Sequence, residues 1–364
     1  MPILASPSIN LTDEQNDAIH YLTTSKDQVR KMGGYGGTGK STIVRELARR
    51  LPHCAVCTFT GKAAQVLRKK GVPASTIHSL IYTPTKDPDT GKVVFTLRPP
   101  WEFAAQTILV DEASMVNKRL DADLRSFGAP IVYIGDHGQL EPVGGEDFSL
   151  MAKPDITLEK IHRNAGEIAY FAQHLREGNN AKDWDAEKML DGSEHELGKV
   201  EIVTANQLGD LAITEDDQLI CAFNRTRCDL NSAVRQHLGK PQGTPVEGDR
   251  VICLQNSREY ALFNGMMGTI ANLYDDKDEM VFESGDFRVR VGFNREAFGA
   301  EKKPEHSWQD IPFDWAYCIT CHKAQGDEFE HAIVVEQRCS KWSHSRWSYT
   351  AASRAKNKLT WVLA

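Results

Sequence analysis

The chain has 364 residues, 41% hydrophobic and 26% charged, a length that predicts two or more domains in an ordinary globular protein. No apolar run reaches membrane-spanning length, and residues 1–6 have neither a basic start nor an apolar core, so a secretory signal is excluded and a cytoplasmic protein is expected. The formal net charge of −7 argues against a nucleic-acid partner only if it is evenly spread. It is not: Lys40, Arg45, Arg49, Arg50, Lys62, Arg68, Lys69 and Lys70 face Glu46 alone between residues 40 and 70, while residues 181–217 are strongly acidic. A positive groove can therefore exist on an acidic chain.

The first predicted element is a helix opening near residue 12, where Thr12 or Asp13 can cap and the acidic first turn suits the helix dipole. A short strand at 28–32 follows. Gly34-Tyr35-Gly36-Gly37-Thr38-Gly39-Lys40-Ser41 then meets every fixed position of the phosphate-binding pattern G-x-x-x-x-G-K-[ST], with helical apolar spacing after it. Glycines let successive N–H groups turn toward an anion, and the helix start adds its positive end. The loop predicts a nucleoside triphosphate site, with Lys40 on the phosphates and Ser41 on Mg²⁺. A strand at 55–60 and a basic helix at 62–70 come next.

Residues 82–103 interrupt this pattern with Pro84, Pro88, Asp89, Gly91, Pro99 and Pro100, and 92–97 reads as one arm of a β-hairpin turning at 89–91. The apolar strand from 108 ends in Asp111-Glu112, and the strand from 130 ends in Gly135-Asp136. Such strands, alternating with helices, indicate an open parallel sheet with its site at the carboxyl edge. A strand-end Asp111 can hold Mg²⁺, and Glu112 can take a proton from attacking water. Gln139, in the turn after the second of these strands, can sense the γ-phosphate or the water, or can simply end the strand.

A second unit is expected after about residue 164, opening with a helix at 168–176. An acidic stretch, a strand at 218–223 and a helix around 229–237 follow. Short strands between 239 and 309, with turns at Gly248-Asp249, Asn264-Gly265, Asp275-Asp276 and Ser284-Gly285, read as a small β-barrel inserted into this unit. Parallel-sheet character returns at 315–320 and ends with a strand at 358–363. Arg163 and Arg354 stand out only by context; an arginine delivered to a transferring phosphate contributes about 10³–10⁵ in rate. The 8 cysteines include the spacings Cys54/Cys57 and Cys318/Cys321. Both pairs fall in predicted strands, where i and i+3 point to opposite faces, so free thiols rather than a zinc site are expected.

Taken together these segments resemble superfamily 1 helicases, specifically the 5′→3′ RecD-like/Dda-like class, over residues 15–354. The telling pieces are Thr60-Gly61-Lys62-Ala63-Ala64, Ser75-Thr76-Ile77-His78-Ser79-Leu80, Gly135-Asp136 with Gln139-Leu140 and Pro142-Val143, and Ile319-Thr320 with His322-Lys323 and Gln325-Gly326. The resemblance implies an α/β protein with two RecA-like parallel-sheet motor domains, 1–81 with 104–164 and 165–238 with 310–364, and ATP with Mg²⁺ in the cleft between them. It implies a strand-separating hairpin at 82–103 and an SH3-like β-barrel at 239–309. Gln15 would read adenine; Gly34, Gly37, Thr38, Gly39, Lys40, Ser41 and Thr42 would hold the nucleotide, with Gly326 and Glu328 near it. Arg163 and Arg354 become arginine fingers, and Gln139 contacts the γ-phosphate. Thr60, Lys62, His78, Asn264, Thr320 and His322 would meet single-stranded DNA, and Phe95 is a candidate wedge, a strand-core Phe being the alternative. The implied activity is ATP-driven movement on single-stranded DNA with duplex unwinding, by a monomer acting at single-strand/duplex junctions in a bacterial or phage-infected cell, with single-strand-binding or replication proteins as possible partners. An RNA-directed enzyme, a translocase that displaces proteins and a non-enzymatic scaffold are the alternatives. Gly36 and Glu141 stand where the family more often has Ala or Pro, and Ser353 where Thr is common.

Overall fold

Apolar runs closed by glycines and acids form strands buried on both faces, the mark of a parallel sheet covered by helices. The structure is a computed structural model and describes residues 11–51, 53–86, 93–141, 148–160, 166–189, 198–257, 259–302 and 310–364. Two units, Met1–His162 and Arg163–Ala364, each have their own interior.

In the first unit, α1 (Asp13–Thr24) starts at Thr12, whose hydroxyl accepts from the Gln15 N–H while the Gln15 amide accepts from the Thr12 N–H. The chain continues through β1 (Val29–Gly34), α2 (Lys40–Arg50), β2 (Cys54–Thr58), α3 (Gly61–Lys69), β3 (Ala74–Thr76) and α4 (Ile77–Ile81). The antiparallel hairpin β4 (Tyr82–Lys86) and β5 (Val93–Leu97) follows; its expected turn at 89–91 lies outside the described residues. Then come β6 (Thr107–Asp111), α5 (Lys118–Arg125), β7 (Ile131–Gly135) and β8 (Ile156–Leu158). Six strands form one sheet in the order β3-β2-β6-β7-β1-β8, every pairing parallel. Alternation along β6 sends Leu109 to a cluster with Ile19, Val44 and Leu47, and Ile108 and Val110 to one with Ile77, Leu120 and Leu124. The sheet is thus a middle layer between α1–α3 and α4–α5.

The second unit holds α6 (Gly166–Arg176), α7 (Ala186–Met189), β9 (Lys199–Thr204), β10 (Gln218–Cys221) and α8 (Asn224–His237). Strands β11 (Arg250–Cys253), β12 (Met267–Tyr274), β13 (Glu279–Ser284), β14 (Phe287–Asn294) and β15 (Ile311–Trp315) close a barrel. After it come β16 (Cys318–Thr320), α9 (Cys321–Ala324), β17 (Phe329–Val335), α10 (His344–Ala352) and β18 (Ala355–Leu363). The second sheet, β16-β10-β17-β18-β9, is again wholly parallel. The α/β class, with a hairpin in the first sheet unit and a barrel in the second, is the fold the sequence predicts.

Two details differ from expectation. The run at 315–320 is not one strand: Trp315 ends β15, which pairs with β11 inside the barrel, and the parallel sheet resumes only at Cys318. The barrel therefore extends past 309 to Trp315, because the apolar residues Ile311, Phe313 and Trp315 face its core. Cys321 opens α9 instead of lying on a strand; none of the eight cysteines is in a disulfide, and no metal-binding cluster occurs among the described residues.

Helix α8 fastens the barrel to the sheet. Fully buried Arg235 pairs with Asp249 at 2.8 Å and lies 4.3 Å over the Trp315 ring, while Arg227 bonds Asp314 of β15. Between them, Asn231 exchanges two 2.9 Å hydrogen bonds with the Cys318 backbone of edge strand β16. No helix among the described residues is long and apolar enough to cross a membrane.

Candidate nucleotide and nucleic-acid sites

At the carboxyl end of β1 the backbone must turn sharply, and Gly37 (φ 79°) and Gly39 (φ 87°) supply left-handed conformations that cost other residues strain. A side chain at Gly34 would meet Thr38 Oγ1 at 2.8 Å and Lys40 Cγ at 3.1 Å, so only glycine lets the loop close. Gly39 is the N-cap of α2 and brings no side-chain cap to the helix. That leaves the first turn suited to an anion. Lys40 Nζ donates to the carbonyls of Gly34 (2.7 Å) and Tyr35 (2.8 Å), which curls its ammonium under the loop. Ser41 is exposed in the first helical turn and Thr42 half-buried beside it. Buried Gln15 ties α1 to this loop, its Nε2 donating to the Thr38 carbonyl at 3.2 Å.

The neighbouring strand ends supply the acids. Burial raises the Asp111 carboxyl well above the usual carboxylate range; the Glu112 charge adds to this, and the Glu112 N–H and Lys40 oppose it. Glu112 sits at φ 54°, a strained conformation for a non-glycine residue, and its Oε2 is buried without a hydrogen-bond partner. An orphaned buried carboxylate oxygen beside a desolvated Asp is a costly arrangement. A divalent cation with phosphate groups would relieve it, so the donor set fits Mg²⁺ and a nucleotide. Buried Asp136, after β7, lies 3.7 Å from Lys40 Nζ and accepts from the Gly138 N–H (3.0 Å) and Gln139 Nε2 (3.3 Å). His137 Nε2 is 2.7 Å from the Tyr35 hydroxyl, with ring centroids 4.3 Å apart. Lys40, Asp111, Glu112, Gln139 and Gln15 thus gather at one edge of the first sheet.

The expected track residues of this unit are more scattered. The Thr60 hydroxyl caps α3 through the Ala63 N–H at 3.2 Å, and Lys62 is half-buried on the same helix. His78 is exposed on α4, 5.3 Å from the Tyr82 ring and 6.5 Å from that of Phe95. Phe95 is 54% exposed on β5, so it is no strand-core residue. Trp101, 85% exposed just after the hairpin, was not singled out by the sequence; only its place beside Pro99-Pro100 could have flagged it.

In the second unit Thr320 ends β16 and His322 follows on α9, its imidazole held below its ordinary pKa by burial. His322 packs edge-on against Trp342 (5.4 Å), and Trp342 against Phe223 (5.8 Å). No local pattern groups these aromatics, since Phe223 lies on a different segment about a hundred residues before His322 and Trp342. Asn264 accepts from Lys323 Nζ at 3.0 Å, joining the barrel to α9. Gly326 has φ 82°, and exposed Glu328 faces Lys356 at 3.9 Å. Buried Arg354 donates to the carbonyls of Thr350 (3.0 Å) and Asp327 (3.1 Å) and to the Ser353 hydroxyl (2.9 Å). Arg163 lies outside the described residues.

A family model described as "AAA domain" matches residues 10–194, just over half the chain, and one described as "UvrD-like helicase C-terminal domain" matches 315–362. An uncharacterized protein of Methanocaldococcus jannaschii is 23% identical over 451 residues, covering 95% of this chain and 37% of that protein. The chain thus spans little more than a third of that curated relative's length. Bacteroides Pif1 bound to ssDNA shares the fold with a TM-score of 0.64 at 18% identity, covering 97% of this chain and 92% of that one. Pif1 helicase from Bacteroides in complex with ADP-AlF3 and ssDNA gives a TM-score of 0.62 at the same identity and coverage. These findings bear out the superfamily 1 resemblance read from the sequence.

Proposed function

Because the chain belongs to the AAA domain family, we propose that it is an ATP-dependent DNA helicase that moves 5′→3′ along single-stranded DNA and unwinds duplex ahead of it. The observation that carries this reading is the meeting of the phosphate loop with Asp111 and the orphaned Glu112 oxygen at one sheet edge. The match of residues 315–362 to a helicase C-terminal domain supports the motor part. Support for the DNA part comes from the two Pif1 structures, both described as holding ssDNA.

When bound, ATP with Mg²⁺ supplies the phosphoanhydride whose cleavage drives the cycle. Lys40 and the amides of the loop would hold the phosphates, and Ser41 and Asp111 the cation. Glu112 Oε2 would accept the proton of the attacking water, for which an unbonded carboxylate oxygen is suited. Gln139 would orient that water against the γ-phosphate. Arg354, with Arg163, would neutralise charge on the transferring phosphate; the carbonyls that grip Arg354 fix its direction without neutralising it. Phe95 would be the wedge of the hairpin, and Thr60, Lys62, His78, Asn264, Thr320 and His322 the DNA contacts. We assign the motor domains, hairpin and barrel as the sequence divides them, save that the barrel runs to Trp315. The same reading makes the protein a cytoplasmic monomer at single-strand/duplex junctions.

The deciding experiment is ATP hydrolysis with and without single-stranded DNA, followed by unwinding of 5′- and 3′-tailed duplexes. Strong stimulation by DNA, and unwinding of the 5′-tailed duplex alone, are expected. Hydrolysis indifferent to DNA but stimulated by RNA would replace this reading with an RNA-directed enzyme.

A further inference from the structure

Strands β1 and β7 are neighbours, and their register pairs Gly33 with Gly135. Two residues beyond each glycine, the chains present Tyr35 and His137 to one another. Gly33 makes room for His137 in this approach, and Gly135 makes room for the loop after β6. A side chain at Gly33 would meet His137 Nδ1 at 2.7 Å, and one at Gly135 would meet the Ser114 backbone nitrogen at 2.9 Å. Three loops, those after β1, β6 and β7, therefore pack against each other with no room for a side chain at those two positions.

Among the described residues, two ties join the phosphate loop to the turn that carries Gln139. One is ionic, Lys40 Nζ to Asp136 at 3.7 Å. The other is the Tyr35–His137 pair, a 2.7 Å hydrogen bond reinforced by rings 4.3 Å apart. The backbone of Tyr35 is equally committed: its carbonyl accepts from Lys40 Nζ (2.8 Å) and from the Thr38 hydroxyl (2.8 Å). The ionic tie competes with phosphate for the same ammonium, so it weakens whenever Lys40 is engaged. The Tyr35–His137 tie is made by two side chains outside the Lys40 ammonium, so phosphate on Lys40 does not compete for it.

We propose that Tyr35 and His137 form a latch that fixes the Gln139 turn on the phosphate loop, making both of them positioning residues for hydrolysis. This rests on the ATPase reading above. It predicts an effect confined to the γ-phosphate step, since Gln139 acts there, while the α- and β-phosphate grip belongs to the loop itself.

The test compares Tyr35→Phe, His137→Ala and the double variant in the full chain, with His137→Gln as a conservative rescue. The readouts are kcat and KM for ATP, without DNA and with single-stranded DNA, and Kd for ADP, which lacks the γ-phosphate. Each single variant should lose about tenfold in kcat, short of the roughly 10²-fold that a 1 Å misplacement of a reacting group can cost. ADP affinity should stay within about twofold, and His137→Gln should recover part of the loss, because a side-chain amide can still bond the Tyr35 hydroxyl. The double variant should be no worse than either single one, because a shared contact is lost only once. An unchanged kcat in Tyr35→Phe, losses that multiply in the double variant, or a fall in ADP affinity matching the fall in kcat would each overturn the latch. Comparing variants without DNA separates the two ideas, since absent DNA stimulation sinks the motor reading and leaves the ratio of basal rates intact.

Discussion

The two parallel-sheet units share an architecture and differ in what they do with charge. In the first, Lys40, Asp111, Glu112 and Asp136 gather at the carboxyl edge of the sheet, and one carboxylate oxygen there has no partner at all. In the second, Arg235 and Asp249 are fully buried and bonded to each other, and Arg227 is bonded to Asp314. The same layered fold thus hosts charges of two kinds. The Glu112 oxygen left without a hydrogen-bond partner at a strand end is available for chemistry, and the buried pairs of the second unit act as struts.

If this division is right, removing a charge in the first unit should hurt rate far more than stability. Lys40→Ala is expected to lower ATP hydrolysis by about 10³-fold or more, the scale of losing a preorganised charge at a transferring group. Thermal stability should fall less than in the second-unit variant below, because buried Asp136 loses a cation 3.7 Å away but keeps the Gly138 N–H and Gln139 amide, and binding to single-stranded DNA should survive. Retained turnover would refute the phosphate-loop assignment. Glu112→Gln should cost about 10²–10⁴ in kcat with ADP affinity kept, as expected for loss of a general base. It should also stabilise the fold slightly, by relieving an orphaned carboxylate. A destabilised Glu112→Gln would show that the oxygen has a structural partner after all.

In the second unit the balance should reverse. Arg235→Met leaves the Asp249 carboxylate buried, with Lys240 at 3.8 Å as the remaining cation beside it among the described residues and the Tyr317 hydroxyl (3.0 Å) and Val246 N–H (2.9 Å) still donating to it. Breaking a buried pair on one side costs about 3–5 kcal/mol, and Lys240 should keep the loss near the lower end. Denaturant unfolding would measure it, while ADP affinity, which the proposed function assigns chiefly to the phosphate loop, should not move. The double change Arg235→Met with Asp249→Asn should recover much of the stability. If it does not, the pair is not the strut proposed here.

This division also explains what could be read in advance. Lys40, Asp111 and Glu112 were legible because a phosphate loop and a strand-end acid pair have fixed local spacing. The alternation of strands and helices made both parallel sheets legible for the same reason. Tyr35 and His137 lie 102 residues apart, and their meeting depends on the β1–β7 register, which no local pattern encodes. Phe223 and Trp342 stayed invisible on the same ground. The end of the barrel was misplaced because Ile311, Phe313 and Trp315 have the apolar alternation of any half-buried strand, and only the closed sheet shows which partner they take.

The hairpin offers a smaller test. Phe95 is exposed where a strand residue would ordinarily be covered, so Phe95→Ala should leave stability and DNA-stimulated hydrolysis intact. Unwinding should slow by several-fold, since stacking on one base contributes about 1–3 kcal/mol. Removing residues 84–98 should spare translocation and impair unwinding more severely. Intact unwinding in that deletion would end the wedge assignment and leave the exposed Trp101 as the next group to test.

The smallest effect is expected from charges that belong to neither kind. On α2, Glu46 accepts from Arg49 (2.7 Å) and Arg50 (2.6 Å), and the Arg49 hydrogen bond is the main cause that holds its carboxyl at about 2. Its folded value lies below its ordinary one, so the stabilisation is fully present above about pH 4.5 and is lost as pH falls toward about 2. Both arginines are largely exposed, which screens the pair and limits its contribution to below about 1 kcal/mol. The difference in unfolding free energy between the wild-type chain and Glu46→Gln should therefore be constant and small from neutral pH down to about 5, and should shrink below that. A difference that grows on acidification would mean that Glu46 is stabilised in its protonated form, and that the exposed cluster on the phosphate-loop helix is not simply an ion pair.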